Sequence, residues 1–60
     1  MEKLFEVKTV YHTSTTMNNI LIETVEATSE TMAKRKMAEL VKEANEGKVD
    51  IVRNEILEVA

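Results

Sequence analysis

Polar and apolar side chains alternate over residues 2–12, and this alternation predicts a first β-strand. Four residues share one face of that strand: Phe5, Val7, Thr9 and Tyr11. The other face carries Glu6 and Lys8, but Leu4 and Val10 interrupt its polar character. The predicted strand therefore has aliphatic side chains on both faces.

Residues 13–19 break the alternation with a run of small hydroxyl and amide side chains, which predicts a hairpin loop. Such side chains bond to nearby main-chain groups and favour turns. Asn18 and Asn19 suit the positive φ angles of a tight turn. Residues 20–27 predict a second strand because β-branched residues are frequent there, and both of its faces carry large aliphatic side chains near its start.

After residue 28 the hydrophobic period becomes that of an amphipathic helix, and we predict a helix over residues 29–46. Apolar residues recur there with the spacing of a single stripe: Ala33, Met37, Leu40, Val41 and Ala44. Thr28 and Ser29 offer a capping hydroxyl before the acidic Glu30. Gly47 is the residue expected to adopt the left-handed conformation that ends the helix.

The C-terminal segment predicts a short extended stretch at 49–52, a polar kink at 53–55 and a closing strand at about 55–59, with a single bulged strand as the alternative. The element order is β-β-α-β. We predict one domain over residues 1–60, a small α+β fold with a three-stranded, mainly antiparallel sheet and one helix packed on one face. The strand order is 2-1-3 or 1-2-3, and we favour 2-1-3 because it makes the apolar first strand central.

One helix covers one face of such a sheet, so aliphatic residues on the opposite face are expected to be exposed. Four residues fall in this group: Leu4, Val10, Ile20 and Ile22. Contiguous exposed aliphatic surface on so small a domain is typical of an interaction surface. We therefore expect a protein partner, or self-association as in a dimer, through the open sheet face and an edge strand.

Composition narrows the class of protein further. The 60 residues include no Cys, no Pro and one Gly, and 43% are hydrophobic. The lack of Cys excludes disulfides and thiolate zinc sites, and the hydrophobic content argues against disorder. No apolar run approaches the roughly 18 residues of a membrane span, and no signal-peptide pattern follows Met1. These features predict a cytoplasmic protein with no membrane association.

His12 is the only histidine and stands where the first strand meets the loop. A metal site there would need carboxylates such as Glu23, Glu26 or Asp50 to converge on it. Ser14 and the neighbouring threonines raise the alternative of a nucleophile, but that chemistry also needs an orienting group and oxyanion donors. We instead expect a half-exposed strand-end histidine, turn-forming hydroxyls, no cofactor or metal, and no enzymatic activity.

Charge leaves one candidate for a phosphate or acidic partner, the basic run Lys34, Arg35 and Lys36 on the helix. A nucleic-acid-linked regulator using these three residues is the alternative function. The net charge of −3 argues against nucleic-acid binding, as does the presence of only two aromatic residues, Phe5 and Tyr11. Eleven acidic residues could mimic nucleic acid, but eight interspersed basic ones favour ordinary solubilising charge.

Three parts of the chain resemble the small DpnD/PcfM-like proteins of bacterial mobile elements and phages. They are the stretch from Val25 to Glu30, the helix with Ala33 facing inwards, and the segment from Gly47 to Ile51. We know of no activity or catalytic residues established for that family, so no site residue carries over. The resemblance, which spans residues 25 to 51, implies a bacterial or phage context and an accessory role.

Overall fold

Three strands and one helix follow the predicted β-β-α-β order in the computed structural model, which describes residues 1–60. The elements are β1 (Lys3–Thr13), β2 (Asn19–Ala27), α1 (Glu30–Ala44) and β3 (Val49–Val59). The predicted bounds of the first two strands and of the helix are correct to within two residues. The predicted α+β fold is confirmed.

The sheet has the strand order β2-β1-β3, and β1 is antiparallel to both neighbours. This result confirms the 2-1-3 order and excludes the 1-2-3 alternative. β1 is central, and it holds more buried residues than either neighbouring strand because both of its edges are paired and the helix covers one of its faces. Its residues Phe5, Val7 and Thr9 are buried beneath α1.

β3 is one continuous strand, so the predicted division into two extended pieces with a kink is wrong, and the bulged alternative is correct. The register with β1 skips Val52 and Leu57, which mark two bulges. Each bulge inserts one extra residue into β3 and so shifts by one which of the following residues face the helix. The residues of β3 paired with the helix-facing side of β1 are therefore spaced 2, 3, 2 and 3 apart: Val49, Ile51, Asn54, Ile56 and Val59.

The core lies between α1 and the sheet, and the half-buried Leu21 of β2 and Ile56 of β3 pack against it. Six buried residues form its main cluster: Phe5, Val7, Val25, Ala27, Ala33 and Met37. Leu40 and Ala44, predicted to lie on the apolar stripe of the helix, are exposed. Leu40 is exposed because it lies on the flank of α1 that faces the outer edge of β2. The 15-residue α1 is too short and too polar to cross a membrane.

The ends of α1 are fixed by local hydrogen bonds. The Ser29 side chain accepts a hydrogen bond from the Met32 N–H at 3.2 Å, as expected of an N-cap. At the other end Gly47 has a φ of 77°, but the left-handed stretch begins one residue earlier, at Glu46, whose φ is 55°. The chain then reverses into β3.

Candidate functional site

β2 has a free edge because it pairs only with β1. On the far side of β1, Leu4 exchanges main-chain hydrogen bonds of 3.1 and 2.8 Å with Ala60. The polar main-chain groups of Leu4 therefore point away from β2, and those of its register partner Glu26 point to the free edge. Since main-chain direction alternates along a strand, three further residues do the same: Thr24, Ile22 and Ile20.

The main-chain groups of Ile20, Ile22 and Thr24 have no partner at this edge. None of the hydrogen bonds formed outside the sheet and the helix involves them. The side chains of Ile20 and Ile22 lie on the open face and are 58% and 48% exposed. The β2 edge therefore presents a row of unpaired donors and acceptors beside exposed aliphatic side chains, which is a template for an added strand.

The opposite edge of the sheet is built differently. β3 carries the two bulges, and its open face is charged, with an ion pair of 2.7 Å between Arg53 Nε and Glu55 Oε1. Bulges and charged side chains are features by which proteins prevent an edge strand from pairing with another chain. β2 pairs with β1 over nine consecutive residues without interruption. The regular edge available for pairing is therefore that of β2.

The four predicted interface residues share the open face, but they do not form one exposed patch. Val10 is only 7% exposed, so its predicted exposure is wrong. It is buried because it lies in the central strand, between Ile20 on one side and Arg53 on the other. Leu4 is exposed but stands six residues, about 20 Å, from Val10 along β1. Ile20 and Ile22 remain as the exposed aliphatic pair.

A groove of about 430 Å³ lies along the outer side of β2, between that strand and α1. Its apolar lining includes Val25 and Leu40, and three of its residues are acidic: Glu26, Glu39 and Glu43. Lys36 is its one basic residue. Sequence reasoning missed this groove because the spacing of Leu40 assigned it to the core, and the exposed flank became apparent only from the position of α1 over the sheet.

The three residues of the basic run point in different directions. Successive helical residues are about 100° apart, so Lys34 and Lys36 lie on opposite flanks of α1, with Arg35 between them. The carbonyl of Lys34 accepts a hydrogen bond of 3.3 Å from Asn54 Nδ2 of β3. Lys36 Nζ lies on the β2 side and donates to the Glu26 carbonyl oxygen at 2.6 Å. The run does not form a single cationic surface.

Lys36 also covers one end of the β2 edge. Its bond to the Glu26 carbonyl oxygen satisfies an acceptor that otherwise faces outwards, and its ammonium group lies 3.7 Å from the Glu2 carboxylate. The uncovered part of the edge therefore runs from Ile20 to Thr24. The possible contact of Lys36 with phosphate or an acidic partner stays a prediction.

His12 lies at the opposite end of the sheet, beside a cleft of about 410 Å³ that also includes Asp50 and Lys48. Asp50 is its register partner on β3, whereas Glu23 and Glu26 lie on β2 and do not approach it. His12 Nδ1 accepts the Asn18 N–H at 3.0 Å, which assigns the ring proton of the neutral imidazole to Nε2. No three potential metal-ligating side chains converge here or elsewhere.

The hydroxyl groups near His12 form the turn itself. Thr13 Oγ1 accepts the main-chain N–H groups of Thr15 and Thr16 at 3.3 and 3.0 Å. Thr16 Oγ1 in turn accepts Asn19 Nδ2 at 2.8 Å. These bonds hold the loop between β1 and β2, and they orient no hydroxyl towards the imidazole as a nucleophile.

The chain matches no protein-family model, no curated protein and no solved structure. The resemblance to the DpnD/PcfM-like proteins therefore stays a prediction.

Proposed function

We propose that the protein is a non-enzymatic interaction module that binds another polypeptide by strand addition to the free edge of β2. One observation carries this proposal: the unpaired main-chain groups of Ile20, Ile22 and Thr24, on a regular strand, contrast with the bulged and charged edge of β3. An accessory role in a bacterial or phage context, which the family resemblance implies, is part of the proposal.

Strand addition uses the main chain for affinity and the side chains for selectivity. Each outward-facing residue offers one N–H and one C=O, and each hydrogen bond contributes about 0.5–1.5 kcal/mol net. Ile20 and Ile22 extend apolar contact to the open face, where a partner strand adds its own aliphatic side chains. Main-chain pairing at this site therefore does not depend on the partner's sequence, whereas the open face favours aliphatic side chains in the partner.

The test compares two double variants that place charge on the two edges. Ile20→Lys with Ile22→Lys changes the β2 edge, and Val52→Lys with Leu57→Lys changes the exposed aliphatic residues of the bulged β3 edge. Circular dichroism checks that each variant is folded. We expect the first variant to lose partner capture or oligomeric mass, as measured by pull-down from bacterial lysate and by light scattering, and the second to retain both.

Nuclease treatment of the same lysate separates the proposal from its alternative. A captured protein that survives nuclease and is lost only with the β2 variant supports strand addition. Capture that is lost on nuclease treatment supports the nucleic-acid-linked regulator instead. In that case capture should also weaken when Lys34, Arg35 and Lys36 are changed to Glu. Equal capture and equal mass for both edge variants would overturn the proposed function.

A further inference from the structure

Building on the proposed function, we propose that the partner of the β2 edge is an extended basic peptide in which Lys or Arg alternates with aliphatic residues. A strand added to β2 directs successive side chains alternately towards the α1 side and towards the open face. The two sides of the β2 edge differ in chemistry, so they select different side chains at alternate positions of the partner.

The α1 side of the edge is acidic. Glu39 and Glu43 line the groove one helical turn apart, and neither makes an ion pair within the chain. Two like charges at this spacing destabilise a helix, and a cation placed between them removes that cost. Glu23 lies on the same side, since it is the register partner of the helix-facing Val7, and it is exposed. Lys or Arg side chains of a partner strand would meet these three carboxylates.

The open-face side of the edge is apolar where the main chain is uncovered. Ile20 and Ile22 are neighbours on this face, and the buried Val10 lies beside Ile20. Aliphatic side chains of a partner strand would pack next to the two isoleucines, as cross-strand pairs do. The uncovered stretch from residue 20 to residue 24 matches a pairing segment of about five residues, or about 17 Å.

A second copy of this chain fits the same edge less well. Antiparallel pairing of two β2 strands around a two-fold axis places Glu23, Glu39 and Glu43 of both copies on one side of the new sheet. Like charges brought together in this way are unfavourable. The one basic residue of the groove, Lys36, is already held by the Glu26 carbonyl oxygen and the Glu2 carboxylate. Charge complementarity therefore favours a basic partner.

Synthetic octapeptides provide the test. We expect the full chain to bind a peptide of alternating Lys and Val, and to bind one of alternating Glu and Val at least tenfold more weakly. N-methylation of alternate residues of the Lys–Val peptide is expected to abolish its binding. Fluorescence anisotropy at low salt gives the affinities. Amide hydrogen exchange locates the contact at Ile20, Ile22 and Thr24.

Paired Gln variants test the role of the groove carboxylates. Glu39→Gln with Glu43→Gln is expected to weaken binding of the Lys–Val peptide about fivefold. Glu55→Gln with Glu58→Gln makes the same change in net charge on β3, at the opposite edge of the sheet from β2, and is expected to change the affinity less than twofold. Equal weakening by both pairs would overturn the assignment of the basic side chains to the groove.

The remaining outcomes distinguish the inference from the proposed function. Equal binding of the Glu–Val peptide, or a dimer that pairs through β2 and excludes both peptides, would overturn the basic-partner inference and leave strand addition standing. Binding that tolerates N-methylation would overturn both, because the main chain of the peptide would then not be used. A monomer that binds no peptide and shows no protection at the β2 edge would also overturn both.

Discussion

Glu46 adopts a conformation that costs an L-residue energy. It follows the C-cap Asn45 with a φ of 55°, and its N–H donates to the Glu43 carbonyl oxygen at 3.3 Å. The next N–H, of Gly47, reaches back to the Lys42 carbonyl oxygen at 2.7 Å. This pair of bonds is the Schellman arrangement, in which the residue at the position of Glu46 is usually glycine.

Glu46→Gly is therefore expected to stabilise the protein by about 0.5–1 kcal/mol. The left-handed conformation costs an L-residue roughly 1–2 kcal/mol, and the greater flexibility of glycine in the unfolded chain returns part of the gain. For a domain of this size the melting temperature would rise by about 2–8 °C, measured by circular dichroism. Glu46→Gln keeps the side chain and removes the charge, and a rise of the same size in that control would contradict the backbone explanation.

Thr9 is the one polar residue that is fully buried, and its hydroxyl links the sheet to the helix. The hydroxyl donates to Asn54 Oδ1 of β3, and Asn54 Nδ2 donates to the Lys34 carbonyl oxygen of α1 at 3.3 Å. No buried side-chain donor or acceptor in the structure lacks a partner. The side chain of Asn54 thus holds three elements in register where an apolar residue would hold none.

Thr9→Val is expected to cost about 1–3 kcal/mol, since it keeps the volume of the side chain but leaves the amide oxygen of the half-buried Asn54 without its donor. Thr9→Ser keeps the hydroxyl and its hydrogen bond, so its free energy of unfolding should fall only through loss of the methyl group. Urea denaturation of the three proteins measures the difference. A Val variant as stable as the parent would show that the hydrogen bond contributes nothing net.

At the scale of elements, β1, β2 and α1 were predictable because each carries a local signal: alternation in β1, β-branched residues in β2 and a helical period in α1. β3 was not, because its bulges are set by pairing with β1 and not by its own alternation. Val52 and Leu57 are aliphatic, so a period of two counts them with the core, whereas the register leaves both unpaired and exposed. The 2-1-3 order could be inferred without knowing the bulges of β3, since an apolar first strand is expected at the centre of the sheet.

The candidate site was predictable only in part, for a similar reason. Ile20 and Ile22 were correctly placed on the open face by alternation, but burial of Val10 depends on neighbours in two other strands. The groove depends on where α1 crosses the sheet, which leaves Leu40 on an exposed flank. The split of the basic run follows from helix geometry, yet the contact of Lys36 with the Glu26 carbonyl oxygen needs the position of the edge strand.

Lys36 is expected to restrict the addition of a strand to the β2 edge. Lys36→Met removes a cation from the acidic groove and frees the Glu26 carbonyl oxygen as an acceptor. We expect the Lys–Val octapeptide to bind two- to fivefold more tightly to this variant, measured by anisotropy. Arg35→Met removes the same charge from the exposed outer part of the helix and serves as the control. Unchanged or weaker binding by the Lys36 variant would contradict the restricting role.

The whole molecule depends on a small core. Only nine of 60 residues are buried, and Met37 is the largest of those that are completely inaccessible to solvent. A domain of this length has a stability of roughly 3–9 kcal/mol. Loss of a single large core contact is therefore comparable with the total.

Met37→Ala is expected to cost about 2–5 kcal/mol and to leave a substantial fraction of the protein unfolded at 37 °C. Met37→Leu keeps the volume and should cost less than about 1.5 kcal/mol. Thermal melts of both variants measure the effect. Addition of the Lys–Val octapeptide should raise the melting temperature of the Ala variant, because a ligand that binds only the folded state stabilises it. A melt of the Ala variant that matches the parent would contradict the dependence on this core.

The position of β1 between β2 and β3 also determines the order in which the sheet can be completed. β1 and β2 are adjacent along the chain and β3 follows the helix, so the hairpin of β1 and β2 can form while the other side of β1 waits for its partner. Leu4 and Val10 direct main-chain groups towards that waiting side. During this interval the partly folded chain has two open edges, and a chaperone or a second partly folded chain competes for the second one. Deletion of residues 49–60 should therefore increase self-association, measured by light scattering, relative to the 60-residue chain.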